Sequence, residues 1–248
     1  LIRHSITKMS HFHFVALDVY KKRLMQLGEE EWRIKNIGIH ELKYLKKIKK
    51  FSKDELTKKY NFNFKEPYLL VTYHPVTLEL KNLNYQLKSL SYALKKSKYN
   101  IVFTYPNADP GYDKIIKFIR KQFNNKKKFM IFKNAGHKTY SSLIKNSCAI
   151  VGNSSSGIVE AASFKKPVVN IGTRQNGKFM PINIINSKYD KKSILRNLTL
   201  ALSKKFNVKI KNLINPYESN TSVKNIVNLI LKLKNNDKLL RKKFKNII

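Results

Sequence analysis

Small and hydroxyl-bearing residues follow one apolar run near the middle of the chain. The run CAIV (148–151) leads into VGNSSSGIVEA (151–161). We predict a strand, a loop and a helix here, which brings free backbone N–H groups to a helix N-terminus. Small residues let a ligand approach the backbone, and the serine hydroxyls add donors that rotate. This pattern suits a phosphate or diphosphate, whereas an ordinary helix cap needs one serine rather than three.

Two charged residues are expected near this loop. Glu160, placed at the start of the predicted helix, can accept bonds from a ribose diol or interact favourably with the helix dipole, and the spacing favours neither. Arg174 directly follows an apolar run, so its guanidinium is suited to a forked pair with a phosphate or to stacking on a base. A surface salt bridge is the alternative role for Arg174.

A histidine and a tyrosine are further candidates. His74 follows another apolar run and can donate to a phosphate or transfer a proton; alternatively its ring bonds a nearby carbonyl. Tyr140 can stack on a base, although such an aromatic more often belongs to the core.

Three histidines near the N-terminus do not predict a metal site. His11 and His13 are expected on one face of a strand, and His4 lies close by in the sequence. No Cys or Asp/Glu cluster accompanies them to complete a ligand set.

Apolar strands alternate with amphipathic helices along the chain. Strands are predicted over 11–17, 33–38, 68–73, 100–105, 128–132, 148–152 and 167–172. Helices are predicted over 18–28, 52–60, 82–97, 111–123, 138–146, 156–164, and near 190–206 and 221–234. This order predicts an α/β fold with a Rossmann-like parallel sheet and helices on both faces.

Polar residues follow every predicted strand from residue 68 onward. They are HPVT (74–77), PNAD (106–109), KNAGHKTY (133–140), NSSSG (153–157) and TRQNGK (173–178). Parallel sheets bind ligands at the carboxyl ends of their strands. These segments together therefore predict one binding site.

The composition limits the class of protein. The 248 residues suffice for one sizeable core, or for one domain and part of another. A formal charge of +36 suggests a nucleic-acid binder, but the excess is scattered lysine with few arginines, which argues against one.

No apolar run is long enough to span a bilayer. The single cysteine, Cys148, excludes an internal disulfide and suits the cytoplasm. Because the chain starts at Leu1, we expect it to be the tail of something longer.

Several of these segments together resemble the hydrolysing UDP-N-acetylglucosamine 2-epimerases, which make N-acetylmannosamine or a related deoxy sugar for sialic-acid-like pathways. The matching stretches are 2–16, 26–38, LLVTYHPVT (69–77), FTYPNADPG (103–111), VGNSSSGIVEAASF…PVVNIGTRQNGK (151–178), NPYESNTSVKNI (215–226) and KKFKNII (242–248). HPVT resembles the hydrolysing branch, because the non-hydrolysing enzymes carry an arginine-containing motif after the histidine. Lys178 departs from the arginine that the family usually has there.

The resemblance implies the GT-B architecture, in which a nucleotide sugar lies between two Rossmann-like domains. Residues 1–36 would end the N-terminal domain, residues 37–225 would form the nucleotide-binding domain, and residues 226–248 would form a crossing helix and tail.

The resemblance also implies roles for individual residues. Ser154 and Ser155 would hold the diphosphate and Glu160 the ribose. The uracil would be surrounded by Arg174, Tyr140 and the backbone at Ala135. The nucleotide-sugar cleft would be lined by Gly38, Asn107 and His74, of which His74 is also the catalytic candidate. No cofactor is expected; the expected partners are a UDP-linked sugar, water and further copies of the chain in a homo-oligomer, with no nucleic acid and no membrane.

The implied reaction removes the C2 proton of UDP-N-acetylglucosamine or a 2,4-diacetamido-trideoxy analogue. It then expels UDP through an unsaturated intermediate and adds water to give the free manno-configured sugar. The family's acid/base carboxylates belong to the N-terminal domain, so we expect this chain to bind UDP without turnover. The alternatives are a GT-B glycosyltransferase using a UDP-sugar donor, a basic nucleic-acid-binding protein and a noncatalytic remnant.

Overall fold

The structure is a computed structural model that describes residues 2–125, 127–219, 221–233 and 237–246. The chain divides into two compact units. Unit 1 comprises Leu1–Lys47 and Pro216–Ile248, and unit 2 comprises Ile48–Asn215. The domain boundaries expected from the sequence, after residues 36 and 225, stay a prediction.

The helices and strands are numbered in chain order. The strands are β1 (His13–Val15), β2 (Ile34–Asn36), β3 (Tyr68–Thr72), β4 (Asn100–Thr104), β5 (Phe129–Phe132), β6 (Ala149–Gly152), β7 (Val168–Ile171) and β8 (Ile184–Ser187). The α-helices are α1 (Ile2–Met9), α2 (Asp18–Gln26), α3 (Glu41–Lys47), α4 (Lys53–Tyr60), α5 (Leu83–Lys96), α6 (Tyr112–Gln122), α7 (Gly136–Asn146), α8 (Ser155–Val159), α9 (Lys191–Leu202), α10 (Lys204–Lys209), α11 (Val223–Leu231) and α12 (Asp237–Leu240). Short 3-10 helices occupy Glu31–Arg33, Thr77–Asn82 and Ala161–Phe164.

Unit 2 contains a six-stranded sheet in the order β5-β4-β3-β6-β7-β8, and every neighbouring pair is parallel. In the centre, Leu70 of β3 pairs with Val102 of β4 and with Ile150 of β6. All residues of β3, β4, β6 and β7 are buried. This explains their continuous apolar runs, because strands covered on both faces have no solvent-facing side.

Apolar side chains of the sheet contribute to two cores, one on each face of the sheet. Leu69 and Val71 belong to the core that includes residues of α5, α6 and α9. Tyr68 and Leu70 point to the opposite core, which includes residues of α4 and α7. The alternation along β3 follows from the two-residue period of a strand. The α/β fold with helices on both faces of a parallel sheet, as predicted, is therefore confirmed.

The start of α4 was recognisable from its sequence. Ser52 caps the helix by accepting a bond from the Glu55 backbone N–H at 3.1 Å, and the Glu55 carboxylate accepts from the Ser52 N–H at 2.6 Å. This reciprocal pair is a capping box. The serine cap predicted at residue 52 is confirmed.

Unit 1 contains the parallel pair β1–β2. His13 of β1 is buried, and its Nε2 lies 3.0 Å from the Glu29 carboxylate, so this ring has a structural partner. His11 precedes the strand, so the expected pairing of His11 and His13 on one strand face is wrong. Across the described residues, no group of three or more His, Cys, Asp or Glu side chains is arranged to hold a metal ion.

The sequence analysis missed several elements and merged others. It did not predict β8, α1, α3 or α12. The helix predicted over 156–164 is two pieces, α8 and the 3-10 helix Ala161–Phe164, with Glu160 between them. The helix predicted near 190–206 divides at Ser203, whose hydroxyl caps α10. The expected tail 242–248 is described only as far as residue 246. Within the described part of the chain, no helix has the length and apolar character needed to cross a membrane.

Truncation of a core residue of β3 should destabilise unit 2. Leu70 is fully buried, so Leu70→Ala leaves a cavity, and we expect a loss of about 3 kcal/mol in the free energy of unfolding. Urea titration followed by circular dichroism measures this loss. The control is Leu78→Ala, because Leu78 is 97% exposed and its truncation should change stability by less than about 0.5 kcal/mol. Equal losses in the two variants would contradict the described core.

Candidate functional site

The polar segments that follow the strands of unit 2 lie at one edge of the sheet. Because β3 to β8 are all parallel, their carboxyl ends share this edge. The five polar segments noted from the sequence are linked to one another by direct hydrogen bonds. The segments after β3, β4, β6 and β7 are joined through His74, Asn107, Asn153 and Gln175, and the segment after β5 is joined through the bond from Tyr140 to Ser156.

Asn153, the first residue after β6, joins three of these loops. Its buried amide accepts from the His74 backbone N–H at 2.7 Å and donates to the His74 carbonyl at 2.8 Å. Its own carbonyl accepts from Gln175 Nε2 at 2.7 Å and from Arg174 Nη1 at 3.2 Å. The side chain and backbone of one residue therefore connect the ends of β3, β6 and β7.

A glycine is required immediately before Asn153. Gly152 has φ +136°, and a Cβ placed there would lie 1.9 Å from the Thr72 carbonyl oxygen. That carbonyl also accepts from the Asn153 backbone N–H at 3.2 Å. The close approach of β6 to the end of β3 thus depends on the absence of a side chain at residue 152.

The His74 ring is held in a defined tautomer. It is 5% exposed, and its Nδ1 accepts a bond from the Asn107 backbone N–H at 3.2 Å. An accepting Nδ1 carries no proton, so in the neutral ring the proton is on Nε2. The ring bonds an N–H rather than the nearby carbonyl considered as an alternative from the sequence.

The environment of His74 keeps its ring neutral. Burial lowers the pKa of His74 to about 4, the positive charge of Arg174 lowers the pKa further, and Asp109 opposes the shift. At neutral pH the ring is therefore a hydrogen-bond donor through Nε2 and carries no charge.

Arg174 contributes a guanidinium to this edge. Besides its bond to Asn153, its Nη2 lies 4.0 Å from the Asp109 carboxylate. Burial lowers the pKa of Arg174, and the negative charge of Asp109 opposes this shift. The guanidinium nevertheless remains charged at neutral pH. The Arg174 side chain is 25% exposed.

The serine loop starts a short helix. Ser154 is the N-cap of α8, and its hydroxyl accepts from the Ser156 backbone N–H at 3.4 Å. The Ser154 hydroxyl proton can still be donated. Ser155 is exposed, and Ser156 Oγ accepts a bond from the Tyr140 hydroxyl at 2.8 Å. The three serines thus have three different environments.

Tyr140 has the core role that was considered for it from the sequence. Its ring packs against the apolar core on the α7 face, as a core aromatic does. Burial, with a smaller effect from the Glu160 carboxylate, raises the pKa of Tyr140 to about 12. Ala135, the residue before α7, is partly buried against the same core. Base contacts of Tyr140 and Ala135 stay a prediction.

Glu160 does not lie at a helix start as expected. It follows the last residue of α8, so the proposed interaction with the N-terminal dipole of that helix is wrong. It lies between α8 and the 3-10 helix Ala161–Phe164, close enough to Tyr140 to influence the pKa of that tyrosine.

Gly38 belongs to unit 1, whereas the other candidates belong to unit 2. It has φ +66°, and a Cβ at this position would lie 2.3 Å from the Ser219 Cα. The glycine is therefore required by packing within unit 1.

The sequence analysis missed four residues that shape this edge: Asn153, Gln175, Asp109 and Glu79. Asn153, Gln175 and Asp109 stood inside polar segments that had been noted, so their positions after strands were a usable signal. Glu79 lies beyond the HPVT segment, in the 3-10 helix Thr77–Asn82, and had no such signal.

The geometry defines a Rossmann-like α/β unit that places the neutral His74 ring and the Arg174 guanidinium at the carboxyl ends of its strands. The sequence model of the UDP-N-acetylglucosamine 2-epimerase family matches residues 1–231. The chain belongs to the UDP-N-acetylglucosamine 2-epimerase family.

Characterised relatives agree with this assignment. The chain is 41% identical over 189 residues to a GDP/UDP-N,N'-diacetylbacillosamine 2-epimerase (hydrolyzing) of Campylobacter jejuni, covering 75% of this chain and 49% of that protein. It is 35% identical over 241 residues to the polysialic acid biosynthesis protein P7 of Escherichia coli, covering 95% and 61%. The chain therefore spans about half to three fifths of the length of these relatives.

A solved structure has the same fold. The UDP-GlcNAc 2-epimerase of Neisseria meningitidis, bound to UDP-GlcNAc, superposes with a TM-score of 0.76 at 18% identity, covering 92% of this chain and 63% of that one. The predicted GT-B-type fold class is confirmed by this likeness.

The low pKa of His74 should make the stability of unit 2 depend on pH. Between pH 6.5 and about 4 the unfolded chain binds a proton that the folded chain excludes, so stability is lost as pH falls through this window. From pH 7 to pH 5 the His74 contribution is about 2 kcal/mol. Urea titrations at the two pH values should show this loss reduced in His74→Gln.

The matched control is His137→Gln, at an exposed histidine of the same unit. This variant should retain the pH dependence of the unsubstituted chain. An unchanged dependence in His74→Gln would show that the histidine titrates freely in the folded protein.

Proposed function

We propose that this chain is the nucleotide-binding part of a hydrolysing UDP-N-acetylglucosamine 2-epimerase. The observation that carries the proposal is that the loop after β6 hydrogen-bonds to both His74 and Arg174 at the carboxyl ends of the strands. Family membership and the hydrolyzing 2-epimerase among the relatives support the reaction class. The substrate would be UDP-N-acetylglucosamine or a 2,4-diacetamido-trideoxy analogue, and the products UDP and the free manno-configured sugar.

The residues of unit 2 would each take one part of the nucleotide. Ser154 and Ser155 would donate to the diphosphate, and Glu160 would accept from the ribose. The uracil would contact Tyr140, Arg174 and the backbone at Ala135. The nearest support is geometric, since Ser156 and Tyr140 are joined by a hydrogen bond and Glu160 influences the same hydroxyl.

His74 and Asn107 of unit 2 would line the sugar side, and a role for Gly38 in binding the nucleotide sugar stays a prediction. Neutral His74 would donate through Nε2 to an oxygen that gains negative charge as UDP departs, and Arg174 would stabilise the same charge. With Nδ1 occupied by the Asn107 N–H, His74 has no free lone pair with which to remove the C2 proton. The acid/base groups would therefore come from the part of the full-length relatives that this chain does not cover.

The proposal includes the setting of the enzyme. The full-length protein would act as a homo-oligomer in the cytoplasm. The single cysteine of this chain is compatible with the reducing conditions of that compartment. The product sugar would enter a sialic-type acid pathway.

Calorimetric titration with UDP tests the nucleotide site. We expect saturable one-site binding, weakened in Arg174→Ala by about 1–3 kcal/mol, since the guanidinium would pair with a charged group. The control is Arg196→Ala, an exposed arginine on α9, which removes the same charge without touching the site. Equal weakening in both variants would mean that the general positive field attracts UDP. Titration with GDP beside UDP decides the base.

Product analysis tests the reaction class. Residues 1–248 should release no UDP from UDP-N-acetylglucosamine, because the proposal assigns the base for the C2 proton to the part of the relatives that this chain does not cover. The full-length protein should release UDP and the free 2-epimeric sugar, detected by proton NMR with incorporation of solvent deuterium at C2. Turnover by residues 1–248 would disprove the proposed division of roles, and transfer of the sugar to an acceptor would indicate a glycosyltransferase.

A further inference from the structure

Glu79 receives hydrogen bonds from three separate elements of unit 2. Its carboxylate accepts from the Thr173 hydroxyl, from Gln86 Nε2 at 3.0 Å and from the Tyr189 hydroxyl. These donors belong to the loop after β7, to α5 and to the segment after β8. A carboxylate is the side chain suited to this place, because it accepts at both oxygens and donates at neither.

The orientation of the Gln86 amide is fixed by a second bond. The buried Tyr73 hydroxyl donates to Gln86 Oε1 at 3.0 Å, so the Gln86 NH₂ group faces Glu79. The backbone of Glu79 itself breaks the regular 3-10 geometry, with φ −119° and ψ 17°. The carboxylate thus joins α5 to the loop after β7.

Thr173 is held through its hydroxyl and through its backbone N–H. Its hydroxyl donates to Glu79, and its backbone N–H donates to the Tyr189 hydroxyl at 3.1 Å. The preceding Gly172 has φ +77°, and a Cβ there would lie 2.0 Å from the Tyr189 ring, so the ring packs directly on this backbone. The two residues before Arg174 are thus fixed by contacts with Glu79 and Tyr189.

Fixing Thr173 fixes the origin of the Arg174 side chain. The guanidinium makes one bond, of 3.2 Å, to Asn153 and a distant 4.0 Å pair with Asp109. Such loose contacts do not by themselves hold a long, partly exposed side chain, which loses considerable rotamer entropy when ordered. Its direction consequently depends on the backbone from which it starts.

Glu79 carries a negative charge at an edge proposed to bind an anion, so its ionisation needs an explanation. Burial raises the pKa of this carboxyl group, but the bonds from Thr173, Tyr189 and Gln86 outweigh burial and leave the pKa below its usual value. The carboxylate is ionised at neutral pH. Its three hydrogen bonds come from neutral donors and stabilise this charge, so the carboxylate can fix the position of Thr173.

We propose that Glu79 is a positioning residue for Arg174, acting through the Thr173 hydroxyl to set where the guanidinium meets the leaving nucleotide. This inference rests on the proposed nucleotide site. Glu79 itself does not contact the nucleotide in that proposal.

A double-mutant cycle on UDP binding tests the inference. Glu79→Gln keeps the shape but turns an NH₂ group toward one of the three donors. We expect UDP affinity to fall about fivefold, within the usual range of coupling through a network. In the Arg174→Ala background the same substitution should change affinity by less than about 1.5-fold, since the residue acts only through the guanidinium. An equal loss in both backgrounds would overturn the proposal.

The matched control is Glu55→Gln. Glu55 is another carboxylate of unit 2 that accepts local hydrogen bonds, here in the capping box of α4. This variant loses the same charge and should leave UDP affinity unchanged. A fivefold loss in Glu55→Gln would assign the effect to charge or general stability and would overturn the proposal.

A measurement without ligand separates this inference from the proposed function. Hydrogen exchange of peptides covering residues 172–178 should be at least severalfold faster in Glu79→Gln, with exchange in β3 and β6 unchanged. If the unsubstituted chain fails to bind UDP, the proposed function fails, but faster exchange still supports the positioning role. Unchanged exchange at 172–178 overturns it. Thr173→Val removes the same bond from the other side and should give the same exchange result if Glu79→Gln does not fold.

Discussion

The buried amide of Asn153 is the interaction on which the ligand edge depends. At the end of β3 the backbone N–H and C=O of His74 are no longer paired within the sheet, and each would cost about 1–3 kcal/mol if buried without a partner. The Asn153 amide satisfies both at 2.7 and 2.8 Å. An aspartate offers no donor and a leucine offers neither group, so the position requires an amide of this length. Gly152 makes the required approach possible.

The bonds between Asn153 and His74 also determine the electrostatics of this edge. They place His74 where burial keeps the ring neutral and where Asn107 determines its tautomer. They place the Asn153 carbonyl where Arg174 and Gln175 both donate to it. In the proposed function, recognition of an anion at this edge would depend on a few directed donors and the Arg174 guanidinium. The formal charge of +36 raises the local concentration of anions without selecting among them.

The sequence revealed the sheet more clearly than the site. The strands β3, β4, β6 and β7 were predictable because burial on both faces leaves an uninterrupted apolar signature. The edge strand β8, with the sequence IINS and three residues partly or fully exposed, has no such signature. Ser154 and Arg174 were found from their positions after strands. The bonds of Asn153 to His74 and of Glu79 to Thr173 join residues 79 and 94 positions apart, and no local pattern encodes such pairs.

A fixed tautomer at His74 limits what the described half of the site can do in the proposed reaction. A histidine that titrates near pH 6.5 can exchange roles between acid and base, whereas a ring with a pKa of about 4 and an occupied Nδ1 can only donate. Donation suits departure of the nucleotide, which needs charge stabilisation at one oxygen and no net proton removal by the protein. Removal of the C2 proton needs a base with the opposite properties, an accessible lone pair and a pKa near the working pH. Buried, constrained donors and an exposed base require different surroundings. In the proposed reaction, the two tasks are therefore best supplied by different residues in different surroundings.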